Sequence, residues 1–86
     1  MTKEEFEYYV DDLNNFIVGT FKLDSAQGYH VELRHIDGFL SWRLEDFTFD
    51  IIIELIESDH ILYNPERYTT WKTRELRIIK LKELGL

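Results

Sequence analysis

Tyr29-His30-Val31-Glu32-Leu33-Arg34-His35-Ile36-Asp37-Gly38-Phe39-Leu40-Ser41-Trp42-Arg43-Leu44 is the stretch whose pairing sets the rest of the fold. Asp37-Gly38 divides two alternating segments, and an Asp-Gly pair in that setting is the strongest short-range signal for a β-hairpin. A two-residue turn there sets Ile36 across from Phe39, Arg34 from Ser41, Leu33 from Trp42, Glu32 from Arg43 and Val31 from Leu44. Apolar residues then meet apolar ones and opposite charges meet. The preceding segment adds a strand. From Thr20 the apolar period is close to 2, and a three-residue loop Ala26-Gln27-Gly28, with Gly28 left-handed, places Leu23 against Val31, Phe21 against Leu33 and Lys22 beside Glu32. The predicted buried face is Phe21, Leu23, Val31, Leu33, Leu40, Trp42 and Leu44. Lys22, Glu32 and Arg43 form a row on the open face, with Ile36 and Phe39 beside them near the turn.

Helices flank this meander. Thr2-Lys3-Glu4-Glu5 is a capping box, and Phe6, Tyr9, Val10, Leu13, Phe16 and Ile17 follow on one helical arc, with Gly19 as a natural stop. After Leu44, β-branched Ile51, Ile52 and Ile53 favour a strand, whereas a helical wheel gathers Asp50, Glu54, Glu57 and Ser58 on one narrow face opposite a broad apolar arc. The wheel decides for a helix. Ser58-Asp59-His60 reads as a turn and Ile61-Leu62-Tyr63 as a short extended link. Asn64-Pro65-Glu66 is an N-cap followed by Pro at the first helical position. The third helix carries Tyr68, Trp71, Glu75, Leu76, Ile78, Ile79 and Leu86 broadly on one side, with Lys80 and Lys82 near its C-terminal end; an edge strand over 76–84 is the alternative there. The expected fold is α+β, in the order αβββαα: an N-terminal helix, a three-stranded antiparallel meander and two C-terminal helices packed on one sheet face.

Size and composition agree with one domain over residues 1–86. A chain of 86 residues is too short for two cores, and a content of 44% hydrophobic residues is too apolar for disorder. There is no cysteine, so neither a disulfide scaffold nor a cysteine-ligated zinc site holds this core. The start MTKEEFEYY lacks a basic stretch followed by an apolar one, and the expected location is cytoplasmic. The net charge of -7 is uneven. Residues 1–18 carry five acids and one base, residues 45–63 six acids and no base, and residues 64–86 six bases and three acids.

Catalytic signatures are weak. His30 and His35 are five apart on a strand and face opposite sides, and His60 follows an acidic helix as a turn residue. No serine lies in a nucleophile elbow, and Gly19, Gly28, Gly38 and Gly85 are isolated rather than gathered into a phosphate loop. Asp46, Asp50, Glu54 and Glu57 form a solvated helical stripe rather than an acid–base pair or hard-cation site. No enzyme activity, metal or cofactor is expected.

Binding remains. Glu4, Glu7 and Asp11 on the first helix and Asp50, Glu54 and Glu57 on the second make stripes that a basic protein target would recognise, and Ile36 and Phe39 beside Arg34 and Arg43 offer an apolar anchor. Carboxylates spaced in this way imitate phosphates and compete for a cationic groove. The basic segment Arg67, Lys72, Arg74 and Arg77, interleaved with Tyr68 and Trp71, is the one feature suited to nucleic acid, although its bases spread over several faces and suit intramolecular partners on the acidic helices.

In length, acidity and order of elements the chain resembles some small phage-encoded anti-CRISPR proteins, which occupy the nucleic-acid-binding surface of a CRISPR effector nuclease by acidic mimicry. The resemblance implies a protein-binding inhibitor and carries over no individual residue. The outline is also similar to double-stranded RNA-binding domains, which use a basic second helix where this one is acidic. The expectation is a non-catalytic, macromolecule-binding protein, a stoichiometric inhibitor of a basic nuclease or nucleic-acid-handling complex. The alternative is a nucleic-acid-binding accessory or regulatory protein using the basic C-terminal helix. No membrane partner is expected.

Overall fold

The computed structural model describes residues 1–26, 28–58 and 61–85. Its elements are α1 (Lys3–Phe16), β1 (Gly19–Asp24), β2 (His30–His35), β3 (Gly38–Arg43), a short 3-10 turn over Leu44–Asp46, α2 (Phe49–Glu57) and α3 (Pro65–Glu83). The strands form one antiparallel sheet in the order β1-β2-β3. The αβββαα order read from the sequence is therefore the observed one, and residues 76–83 continue α3 rather than forming a strand. No helix is long and apolar enough to cross a membrane among the described residues.

Local chemistry sets the helix starts. Thr2 Oγ1 accepts from the Glu5 N–H at 3.1 Å while Glu5 accepts from the Thr2 N–H at 3.1 Å, which completes the capping box. Thr48 caps α2 through the Ile51 N–H, and Asn64 caps α3 through the Arg67 N–H, with Pro65 in the first turn where no donor is needed. The α1 helix ends earlier than Gly19. Ile17 is already extended and bridges Tyr63, and the Val18 N–H donates to the Leu62 carbonyl at 2.7 Å, so the 61–63 link runs as a strand-like neighbour of the α1–β1 junction. Gly19 serves the sheet instead. A Cβ at that position would stand 2.6 Å from the Arg34 carbonyl oxygen, closer than a side-chain carbon approaches an oxygen.

The first hairpin has the register expected: Phe21 pairs with Leu33, Lys22 with Glu32 and Leu23 with Val31, and Gly28 is left-handed at φ +81°. Gln27 of that loop lies outside the described residues. The second hairpin differs by two residues. Ile36 and Asp37 occupy the turn, so His35 faces Gly38, Arg34 faces Phe39, Leu33 faces Leu40, Glu32 faces Ser41, Val31 faces Trp42 and His30 faces Arg43. Because side chains alternate with period 2, a slide of two exchanges partners while keeping every residue on its face, and the apolar pattern cannot distinguish the two registers. Tertiary packing does. Trp42, opposite Val31, lies 5.3 Å from Phe47 between ring centroids, while Leu44 leaves the strand, buries itself in the 3-10 turn and donates its N–H to the Tyr29 carbonyl. The expected Glu32–Arg43 pairing is thereby replaced, and Arg43 stands instead near Glu45 at 3.7 Å.

The helices cover the face that carries Phe21, Val31 and Leu33. These residues share one core with Phe6, Leu13 and Phe16 of α1, Leu44, Phe47, Ile52 and Ile56 around α2, Ile61, and Tyr68 and Trp71 of α3. Phe16, Tyr9 and Phe49 lie 5.3–6.1 Å from the Trp71 ring, so one indole joins all three helices. Leu23, Leu40 and Trp42 of the expected face are only partly buried.

Candidate interaction surfaces

On α1 the acids Glu4, Glu7 and Asp11 are exposed on the side away from Phe6 and Leu13, as amphipathic spacing requires. Glu7 has Lys3 at 3.9 Å, a distance at which two exposed side chains gain little. On α2 Asp50 and Glu54 are exposed opposite Ile52 and Ile56. Asp46 falls in the 3-10 turn, outside the helical stripe assigned to it from the sequence. Glu57 behaves differently from its neighbours. It accepts from the Tyr68 hydroxyl at 2.5 Å and pairs with Lys72, both on α3. Those contacts, Lys72 first and Tyr68 second, hold the Glu57 carboxyl below the usual carboxylate range. Burial, and then the Glu57 carboxylate, raise the Tyr68 hydroxyl well above the ordinary tyrosine value.

Three of the six bases of α3 are engaged within the molecule. Arg67 donates to the backbone and side-chain oxygens of Asn15 at 3.3 and 3.0 Å. Arg74 places Nη2 2.7 Å from Asp12 and Nε 3.2 Å from Glu75. Lys72 is paired with Glu57, whereas Arg77 has no ion pair among the described residues. Because Arg67 meets the end of α1 and Glu75 meets Tyr8 near its start, α1 and α3 run antiparallel.

Glu75 is the functional-looking residue that the sequence did not single out. It is 1% exposed, yet charged, and it accepts from the Tyr8 hydroxyl at 3.1 and 3.3 Å as well as from Arg74. Its place in line with Tyr68 and Trp71 puts it on the inward side of α3, and that spacing is the available signal; its partners are not legible in the sequence, since Tyr8 falls outside the apolar arc of α1. Burial and the Glu75 carboxylate, in that order, raise the Tyr8 hydroxyl above its ordinary value. Above the pair, Glu4, Glu5, Tyr9, Ile78, Ile79 and Lys82 line a groove of about 270 Å³ between the two helices.

The open sheet face carries the exposed side chains of Thr20, Lys22, Arg34, Phe39, Ser41 and Arg43. Ile36 and Phe39 are 73% and 53% exposed, and the Arg34 guanidinium lies 5.7 Å from the centre of the Phe39 ring. His30 and His35 point to opposite faces of β2; His30 Nδ1 is 3.3 Å from the Gly28 carbonyl, and His35 Nδ1 accepts weakly from the Asp37 N–H at 3.4 Å. His60 lies outside the described residues. No protein-family model, curated protein or solved structure matches the chain.

Proposed function

We propose that this protein acts without catalysis, by binding another macromolecule through the acidic surfaces of α1 and α2, and that its target is a basic nuclease or nucleic-acid-handling complex whose cationic groove it occupies. One observation supports this reading most. The α3 bases Arg67, Lys72 and Arg74 are turned to partners within the chain, whereas Glu4, Asp11, Asp50 and Glu54 are exposed and outside any ion pair among the described residues. These four carboxylates therefore stand outward without an ion-pair partner among the described residues. Such a surface favours fast, salt-sensitive association with a cationic partner. The same distribution lends less support to the alternative, a nucleic-acid-binding protein using Arg67, Lys72, Arg74 and Arg77.

The test uses the tagged protein as bait in lysate at low and moderate salt, with and without nuclease digestion. The expected result is retention of a basic nuclease or effector complex that survives digestion, weakens with salt, and is lost in an Asp50→Lys/Glu54→Lys variant. Those positions are reversed rather than Glu57 because Glu57 also ties α2 to α3. Retention that vanishes on digestion would replace this reading with the nucleic-acid-binding one. Retention indifferent to the reversal at low salt would sink the mimicry.

A further inference from the structure

The two edges of the sheet are finished differently. Along β1 the backbone groups of Gly19, Phe21 and Leu23 point outward, and α1 blocks that edge at its middle: the Asn14 carboxamide accepts from the Phe21 N–H at 2.7 Å and donates to the Phe21 carbonyl at 3.1 Å. A side-chain amide there stands in for a neighbouring strand. Along β3 the hairpin closed by Ile36 and Asp37 makes His35 and Gly38 a hydrogen-bonded pair, so the outward backbone groups are those of Phe39, Ser41 and Arg43. The Arg43 carbonyl accepts from the Phe47 N–H at 3.1 Å. Among the described residues nothing bonds the outward N–H and C=O groups of Phe39 and Ser41. An uncovered edge of this kind is a template for another strand.

We propose that the strand which completes it is β3 of a second copy of this chain, paired antiparallel about a two-fold axis at Leu40, so that two three-stranded sheets join into one of six strands. The unpaired groups point to a register. Pairing the unbonded groups of the two copies with one another sets Phe39 opposite the partner's Ser41 and Ser41 opposite the partner's Phe39. Leu40 then faces the partner's Leu40 on the core side. Trp42 crosses the partner's Gly38, and Arg43 comes opposite the partner's Asp37. An apolar contact lies on the axis, a large ring meets a residue without a side chain, and opposite charges stand at the rim. This self-complementarity points to a second copy rather than a foreign strand. Charge points the same way: two chains of -7 each repel over most of their surfaces, but β3 carries Arg43 and no carboxylate. Leu40 and Trp42 are left only partly buried within one copy, and Trp42, Ile51, Glu54, Leu55 and Ser58 line a groove of about 250 Å³ beside the edge. The pairing is distinct from the binding proposed above, since the paired residues of β3 belong to neither acidic stripe.

The chain has no native cysteine, which makes the test direct. Sedimentation of the wild-type protein across micromolar concentrations is expected to show a monomer–dimer equilibrium. Ser41→Pro, which removes an outward N–H without touching the β2 ladder, should raise the dissociation constant at least about tenfold. Leu40→Cys should form disulfide-linked dimers under mild oxidation, because directly opposed residues of this type bring their Cβ atoms to a distance a disulfide spans, whereas Lys22→Cys should not. Arg43→Asp should weaken the dimer and Arg43→Asp/Asp37→Arg restore it. A protein that stays monomeric to millimolar concentration overturns the proposal. So does a dimer in which Leu40→Cys crosslinks no faster than Lys22→Cys, and that comparison stands even if Ser41→Pro fails to fold.

Discussion

Tyr8 and Glu75, separated by 67 residues in the chain, meet where α1 lies against α3, and the Tyr8 hydroxyl donates to both oxygens of a carboxylate that is almost wholly shielded from water. A buried charge in this position depends on its partners. Arg74 supplies the opposite charge but divides it with Asp12, so neither contact alone neutralises Glu75. Tyr8→Phe is expected to cost about 1–3 kcal/mol, the penalty of leaving part of a buried acceptor unsatisfied. Glu75→Leu removes the charge along with its need for partners and should cost less than Arg74→Met, which strands it. Urea unfolding of the three variants checks the order.

The Glu57 contact with Tyr68 and Lys72 makes stability depend on pH at both ends. The Glu57 carboxyl is held below its ordinary value in the folded protein, so its contribution is present above the unfolded carboxylate pKa and is lost as pH falls through the lower folded value. The Tyr68 hydroxyl is raised instead. Its neutral form is favoured by folding, so that contribution is present below the unfolded tyrosine pKa and is lost as pH rises through the higher folded value. Melting temperature measured against pH should therefore fall less steeply in acid for Glu57→Gln than for wild type, and less steeply in alkali for Tyr68→Phe.

Gly19 and Gly28 are expected to respond to alanine for different reasons. At Gly19 the new methyl meets the Arg34 carbonyl at 2.6 Å, and the sheet must open or shift, at about 1–3 kcal/mol. At Gly28 no atom lies within 4 Å of the new carbon, and the cost is that of a left-handed residue, about 1–2 kcal/mol. Amide exchange separates the two. Gly19→Ala should speed exchange across the β1–β2 ladder, while the effect of Gly28→Ala should stay near the loop.

Asn14 blocks the middle of the β1 edge with one donor and one acceptor, both on Phe21. Asn14→Asp keeps an acceptor for the Phe21 N–H but sets a second carboxylate oxygen against the Phe21 carbonyl, so it should destabilise more than its isosteric shape suggests, by about 1–3 kcal/mol at neutral pH. Lowering the pH until the introduced carboxylate is protonated restores a donor toward the Phe21 carbonyl and should recover part of the loss, which thermal melts at two pH values would detect.

Most of the secondary structure is legible in the sequence because its determinants are local. Thr2 and Glu5, Thr48, and Asn64 with Pro65 cap their helices through atoms three or four residues away, and the alternation of Phe21, Leu23, Val31 and Leu33 sorts the faces of two strands. Gly19 reads as a helix end because nothing nearby in sequence reveals that Arg34 will approach its backbone. The second hairpin departs from its expected register by two residues because the face pattern is blind to an even shift, and the ring of Phe47, beyond the strand, selects Trp42 opposite Val31.

The same division holds for the surfaces. Periodicity by itself determined that Glu4, Glu7 and Asp11 on α1 and Asp50 and Glu54 on α2 face away from the core, since any packing that buries Leu13 or Ile52 turns them outward. Which of the remaining charges are neutralised was decided only by tertiary structure. Glu57 belongs to the same stripe as Glu54, and Arg74 to the same helix as Arg77, yet Glu57 meets Lys72 and Arg74 meets Asp12 and Glu75 while their neighbours do not. Pairing between distant segments depends on how the helices lie against one another, and that geometry follows from the shared core around Trp71 rather than from the order of charges along the chain.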